Sequence, residues 1–210
     1  MRPTTREVAA GPGAGLQPVT LAGDVVTLAP LRPEDAAALA TAVSDGRLWE
    51  LWYTSVPTPE AMADDVARRL AQAAAGSLVP FTVRRTDTGA VIGSTNYMNI
   101  EPEAPRLEIG GTWNAASAQR TGVNTESKLL LLGHALETLG CLAVEFRTHW
   151  HNTQSRTAIA ALGAKQDGVL RNHRRLPDGS LRDTVVFSIL ESEWPAVRAG
   201  LVSRLARSGG

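Results

Sequence analysis

The stretch Gln119-Arg120-Thr121-Gly122-Val123-Asn124-Thr125 sets a glycine among hydrogen-bonding side chains, directly ahead of a helical pattern with an apolar stripe at Leu129, Leu132, Leu136 and Leu139. A turn so placed opens a helix. Free backbone N–H groups and the positive end of the helix dipole point out of that end, so a phosphate or pyrophosphate is the ligand it suits. Gly122 lets the backbone approach such a ligand, Asn124 or Thr125 supplies the cap, and Gly140 the left-handed stop. The same residues also fit an ordinary helix start that binds nothing. Two other phosphate signatures are missing, since no Gly-Lys-Ser/Thr is present and Gly122 has no further glycines at dinucleotide spacing.

A second group lies on the strand pattern Arg106 to Asn114. Leu107, Ile109 and Gly111 share one face, and Glu108, Gly110 and Thr112 share the other. Two adjacent glycines weaken a strand, and the usual reason is a bulge or the close approach of a ligand. Glu108 is therefore a carboxylate beside a distorted strand: a candidate general base, or a charge paired with Arg106 or Arg147. Asn152 caps a short helix over Thr153 to Leu162, with Ser155 as its third residue. His149 and His151 have no third ligand at metal spacing and no cysteine cluster, so they read as pocket-edge or surface residues and no metal is expected. Arg171-Asn172-His173-Arg174-Arg175 is a basic cluster beside a hairpin, either solvated or attracting an acidic acceptor or an adenosine 3′-phosphate.

The run Gln119-Arg120-Thr121-Gly122-Val123-Asn124 resembles the Gln/Arg-x-x-Gly-x-Gly/Ala signature of the GNAT superfamily of acyl-CoA N-acyltransferases, whose turn wraps the pyrophosphate of coenzyme A. Asn124 departs from the final small residue, in the manner of the branch containing the ribosomal-protein alanine N-acetyltransferases. The resemblance spans roughly Val25 to Trp194. It implies acetyl-CoA as cosubstrate and an α/β (α+β) GNAT fold: a mixed, mostly antiparallel sheet of about seven strands, helices on both faces, and a splayed strand pair forming the coenzyme cleft.

On that resemblance a pantetheine arm lies in the gap and meets the backbone near Thr112, Trp113 and Asn114, while Gln119 to Thr125 hold the pyrophosphate. Glu108 takes the base's place. Many members protonate the departing thiolate with a Tyr near the short helix, which here has none; Asn152-x-x-Ser155 matches the ribosomal-type arrangement of an Asn on the coenzyme and a Ser able to protonate sulfur. The activity implied is transfer of acetyl to a primary amine by direct attack in a ternary complex, the acceptor being a small molecule or a protein N-terminus. The alternative is a non-catalytic acyl-CoA-binding or scaffold protein of the same fold.

The elements that must position these residues follow from periodicity. Val25 to Leu31 alternates as a strand; helices run from Pro33 to about Val43 and from about Pro59 to Ala75. Between them Leu48-Trp49-Glu50-Leu51-Trp52-Tyr53 either packs those helices on the sheet or walls an acceptor pocket. Val79 to Arg85 and Ala90 to Ile100 form a hairpin through Asp87-Thr88-Gly89. Leu142 to Trp150 is a strand, Ala164 to His173 and Leu181 to Leu190 pair through Pro177-Asp178-Gly179-Ser180, and Glu191 to Arg207 is a closing amphipathic helix.

Composition bounds the rest. The 210 residues suit one domain, expected over 19–207 between a disordered arm at 1–18 and a short tail at 208–210, and 43% apolar content supplies a core. Lys plus Arg equals Asp plus Glu at 21 each, which gives no global pull toward nucleic acid or an anionic membrane. The single cysteine, Cys141, excludes an internal disulfide and reads as a core residue. No stretch has the length of a membrane span and the arm lacks a signal peptide's apolar block, so a cytoplasmic protein is expected, with monomer and homodimer both open.

Overall fold

In the computed structural model, residues 16–176 and 178–208 are described. Most of the arm expected at 1–18, the end of the expected tail, and Pro177 of the last hairpin lie outside them. Within the bounds expected for the arm, Leu16 packs against the main core.

The strands are β1 (Leu21–Ala22), β2 (Val26–Pro30), β3 (Leu78–Arg85), β4 (Val91–Glu101), β5 (Arg106–Asn114), β6 (Ala143–His149), β7 (Lys165–Arg175) and β8 (Leu181–Leu190). They form one sheet in the order β1-β2-β3-β4-β5-β6-β8-β7. Among the described residues only β5 and β6 pair in parallel. The sheet has eight strands rather than about seven; the extra one, β1, is too short for a periodic signal to reveal.

The helices are α1 (Ala36–Ser44), α2 (Met62–Ala74), α3 (Val123–Gly133), α4 (Thr153–Ala161) and α5 (Trp194–Ser208). Helix α2 buries Met62, Val66 and Arg69 at successive turns of one stripe, so a guanidinium enters the layer that its apolar neighbours define. Leu39, Val43, Met62, Val66 and Trp113 form one core cluster; Leu28, Phe81, Tyr97, Leu107, Ile109, Leu131, Leu132, Phe146, Ile189 and Leu201 belong to the larger one. Burying each such side chain contributes roughly 2 kcal/mol.

The change of cluster along β5 follows from its register. Gly110 faces Asn96 and Trp113 faces Ser94, so Gly111 and Thr112 hold one residue more than their partner strand. That bulge turns Trp113 to the face opposite Leu107 and Ile109. Two helical expectations need correction. The expected helix to Gly140 is α-helical only to Gly133, and His134–Thr138 winds as a π-helix. The Tyr97 hydroxyl donates to the Leu131 carbonyl at 2.7 Å just before the change, an insertion into the ladder of the kind that shifts helical register. The cap position of α3 is Gly122, not Asn124 or Thr125.

Candidate active site

The ladder between β5 and β6 ends at the pair Glu108–Glu145, beyond which β5 stays with β4 and β6 stays with β8. The bulge is the cause of this parting. Gly111 has φ +59°, and a Cβ there would lie 2.5 Å from Asn96 Nδ2. Asn96 donates to the Gly110 carbonyl at 3.0 Å and accepts from Arg69 Nε and Nη2 at 3.1 and 2.8 Å. Arg69 also donates to Ser94 Oγ at 2.6 Å. Burial lowers the Arg69 pKa to about 10, which leaves it a cation at neutral pH. A charged network thus holds the bulge in shape.

At the other end of the gap lies α3. Its N-cap, Gly122, takes φ +85°, and among the described residues no side chain accepts from the first turn. Glu126, which could have capped it, reaches away to accept from the N–H groups of Asp24, Val25 and Val26 at 3.0, 2.7 and 2.6 Å. The positive helix end is therefore left for a ligand. Gln119, Arg120 and Asn124 line the cleft. Val123 is wholly buried in the core and the Thr121 hydroxyl donates to the Ala118 carbonyl at 2.6 Å. Thr121, Gly122, Val123 and Thr125 are not among the residues that line the cleft.

Between the two lies a cleft of about 840 Å³. Thr112, Trp113 and Asn114 line it, although Trp113 is anchored in the smaller core and the Thr112 hydroxyl is shared with Thr95 at 2.7 Å. Asn114 Oδ1 is buried without a partner among the described residues, close against Gly93 of β4. Lys128, one helical turn past Asn124, also reaches in. It is buried, donates to Thr112 Oγ1 at 3.2 Å, and burial lowers its pKa to about 8. No carboxylate lies within ion-pair distance of it among the described residues. A buried cation of that kind wants an anion.

Glu108 stands where the strands part. It is buried, accepts from Asn99 Nδ2 at 2.6 Å and lies 3.5 Å from Arg147 Nε. Burial raises its pKa, while Asn99 and Arg147 pull the other way. Arg106, the other expected partner, is bound to Glu145 instead. The resulting arrangement is an uncapped helix N-terminus and a buried carboxylate at two parts of one cleft, which suits an anionic coenzyme reaching a proton acceptor. A family model for the acetyltransferase (GNAT) domain matches residues 26–165.

The chain belongs to the GNAT acetyltransferase family. A protein of T. thermophilus assigned to the acetyltransferases is 35% identical, with 91% of this chain and 99% of that one covered at a TM-score of 0.79. A GCN5-related N-acetyltransferase from Brucella melitensis is 26% identical, covering 90% and 86% at 0.80. Mycobacterium smegmatis RimJ, solved in complex with CoA-disulfide, shares the fold at 23% identity, 89% and 95% coverage and 0.75. No curated protein sequence matches the chain.

In this GNAT domain α4 begins at the cleft. Asn152 Oδ1 accepts from the Ser155 N–H at 3.0 Å, so the cap expected from sequence is formed, and the Asn152 Nδ2 has no partner among the described residues. Asn152 and Ser155 both line the cleft. The aromatic connector divides its work: Leu48 and Trp49 pack on the smaller core, while Leu51, Tyr53 and Leu48 as well line the cleft. Trp52 sits 5.0 Å from His149 and 5.5 Å from His151, ring centre to ring centre. His149 Nδ1 accepts from the His151 N–H at 3.0 Å, so its neutral ring carries the proton on Nε2, which is buried and unpartnered. Arg69, Asn96, Asn99 and Lys128 are the site residues that sequence reasoning missed. Of these only Lys128 had a usable signal, its four-residue spacing from Asn124 on one helix face.

Proposed function

We propose that this protein transfers an acetyl group from acetyl-CoA to a primary amine by direct attack in a ternary complex. The observation that carries the reading is the single cleft joining the uncapped N-terminus of α3 to the Glu108 carboxylate. Family membership supports it.

The coenzyme fits the residues present. Backbone N–H groups from Gly122 to Thr125 and the side chains of Gln119, Arg120 and Asn124 would hold the pyrophosphate, and the freed backbone of Thr112 to Asn114 would meet the pantetheine. The thioester supplies an activated acyl carbon and a good leaving group, so positioning is the larger part of catalysis. Glu108 accepts the proton that an incoming ammonium must shed, directly or through one water, and burial brings its pKa closer to that task than an exposed carboxylate's. The amine nitrogen forms the new C–N bond as the C–S bond breaks, the Ser155 hydroxyl gives the departing sulfur its proton, and the second proton shed by the acylated nitrogen restores that hydroxyl. Asn152 caps α4 with its oxygen and donates its amide N–H to the coenzyme.

The test is thiol release from acetyl-CoA with a panel of amines and N-terminal peptides, set beside calorimetric binding of acetyl-CoA alone. Amine-dependent release with acetylated product by mass is expected. Tight binding with no turnover on any acceptor would favour a coenzyme-binding protein without catalysis.

A further inference from the structure

The wall of the cleft beyond Glu108 is made by β7 and β8, and its charge is lopsided. Arg174 and Arg182 are direct cross-strand partners and both line the cleft. Like charges placed opposite each other on a sheet destabilise it, so a pair left that way calls for a reason. Neither forms an ion pair among the described residues, whereas Arg171 on the same hairpin is bound to Asp183. Burial and then Arg174 lower the pKa of Arg182, and His173 is lowered by burial, Arg174, Arg147 and Arg182 in turn. The carboxylates where β5 and β6 part already have partners: Arg106 and Arg147 hold Glu145, and Asn99 and Arg147 attend Glu108.

Arg182 is also oriented. Arg182 Nε donates to Thr184 Oγ1 at 3.1 Å, which holds the guanidinium by its stem side and leaves its two terminal nitrogens without partners among the described residues. An irregularity precedes Arg174, where three residues of β7, Arg171 to His173, stand opposite Asp183 alone on β8 and Asn172 takes φ +50°. Two guanidinium groups thus line one wall of the cleft, a pairing able to bind a carboxylate or phosphate through several N–H bonds.

We propose that Arg174 and Arg182 form an anion clamp, and that the acceptor is a small primary amine carrying a carboxylate or phosphate a few bonds from its nitrogen. Glu108 lies within electrostatic reach of both arginines, so one acceptor spans base and clamp. A polyamine is repelled by the same wall. The inference rests on the transferase reading above and names its substrate class.

The experiment compares the twenty L-amino acids with their matching amides, and O-phosphoethanolamine with ethanolamine, as acceptors in the wild type and in Arg174→Gln/Arg182→Gln. At least one anionic amine should exceed its uncharged match about tenfold or more in kcat/KM, and the double substitution should collapse that ratio toward one through KM. Preference within the acids or for the phosphate tells the two anions apart. Because the pair repel, the double variant should melt no lower than wild type, which a merely structural pair would not allow. A second readout needs no turnover: titration of the N-acetylated amino acids with CoA present. Loss of product binding in the variant, with no acetylation of any amine, sinks the transferase and keeps the clamp. Turnover of uncharged amines or spermidine as good as that of the acids, with product binding unaltered in the variant, sinks the clamp and keeps the transferase.

Discussion

Asn99 donates to the Glu108 carboxylate at 2.6 Å from a left-handed backbone position, φ +48°, inside a bulge of β4. That bond favours the ionised carboxylate and opposes the upward pull of burial on its pKa. Asn99→Gly keeps the backbone conformation and removes only the donor. The Glu108 pKa should then rise further. A base works only when deprotonated, so the acid limb of kcat/KM should move to higher pH in the variant. A pH profile with one accepted amine checks this, and an unmoved limb would mean that a different group titrates.

Glu108→Gln separates catalysis from pairing. The amide keeps size and much of the hydrogen bonding but loses the basic lone pair, so turnover near neutral pH should drop by about 10²-fold or more. Acetyl-CoA affinity should barely change, and higher pH should recover part of the loss as more amine arrives unprotonated. If Glu108 served only Arg147, 3.5 Å away, the melting temperature would shift while turnover per folded molecule stayed near wild type.

Asn152 has one atom accounted for and one not. Its Oδ1 caps α4 at 3.0 Å, and Asp or Ser caps as well, so Asn152→Asp and Asn152→Ser should leave the melting temperature nearly unchanged. Both lose the amide donor that faces the cleft. Acetyl-CoA affinity should fall several-fold in both, read by calorimetric titration, and full affinity in the two variants would reduce Asn152 to a cap.

What the sequence made legible follows the range of the interactions involved. The bulge could be read because Gly110 and Gly111 are adjacent in the chain, and the α4 cap because Asn152 and Ser155 are three apart. The strand limits at Arg106–Asn114 and Leu181–Leu190 agree because alternation is local. The cap of α3 was misread, since nothing nearby reveals that Gly122 takes the cap position or that Glu126 turns to the β1–β2 turn about a hundred residues away. Arg69 to Asn96 was invisible for the same reason, and of the Arg174–Arg182 pair the chain showed only the basic cluster around Arg174, because the partner is set by sheet register.

Two glycines at the site should behave differently on gaining a methyl group. At Gly122 the nearest atom to a new Cβ is Leu205 Cδ2 at 3.6 Å, so Gly122→Ala meets conformational strain alone, about 1 kcal/mol, or a few degrees of melting temperature. At Gly111 the new Cβ meets Asn96 Nδ2 at 2.5 Å and must disturb the Arg69 network as well as bear a positive φ. Gly111→Ala should therefore cost distinctly more, about 2 kcal/mol or beyond. Both should weaken acetyl-CoA by about tenfold, or roughly 1.4 kcal/mol. Equal stability losses in thermal melts would remove the argument that Asn96 sets the bulge.

Lys128 sets stability against binding. Burial lowers its pKa from an ordinary 10.5 to about 8, so between those values the unfolded chain binds more protons than the folded one. Stability from this group therefore rises as pH climbs through that window, and below about pH 8 the folded protein bears the full cost of an ionised, buried amine, at most roughly 3 kcal/mol. Lys128→Met removes the charge and keeps an unbranched apolar stem. At pH 7 the variant should melt a few degrees above wild type, and the gap should narrow toward pH 10. Coenzyme binding should show the reverse. If the lysine answers an anion of the coenzyme, wild-type affinity falls as pH passes about 8, whereas the variant binds more weakly at pH 7 and with little pH dependence. Paired melts and titrations across pH 6 to 10 measure both, and a variant that melts lower at pH 7 while binding acetyl-CoA as tightly as wild type would show Lys128 to be a packing residue only.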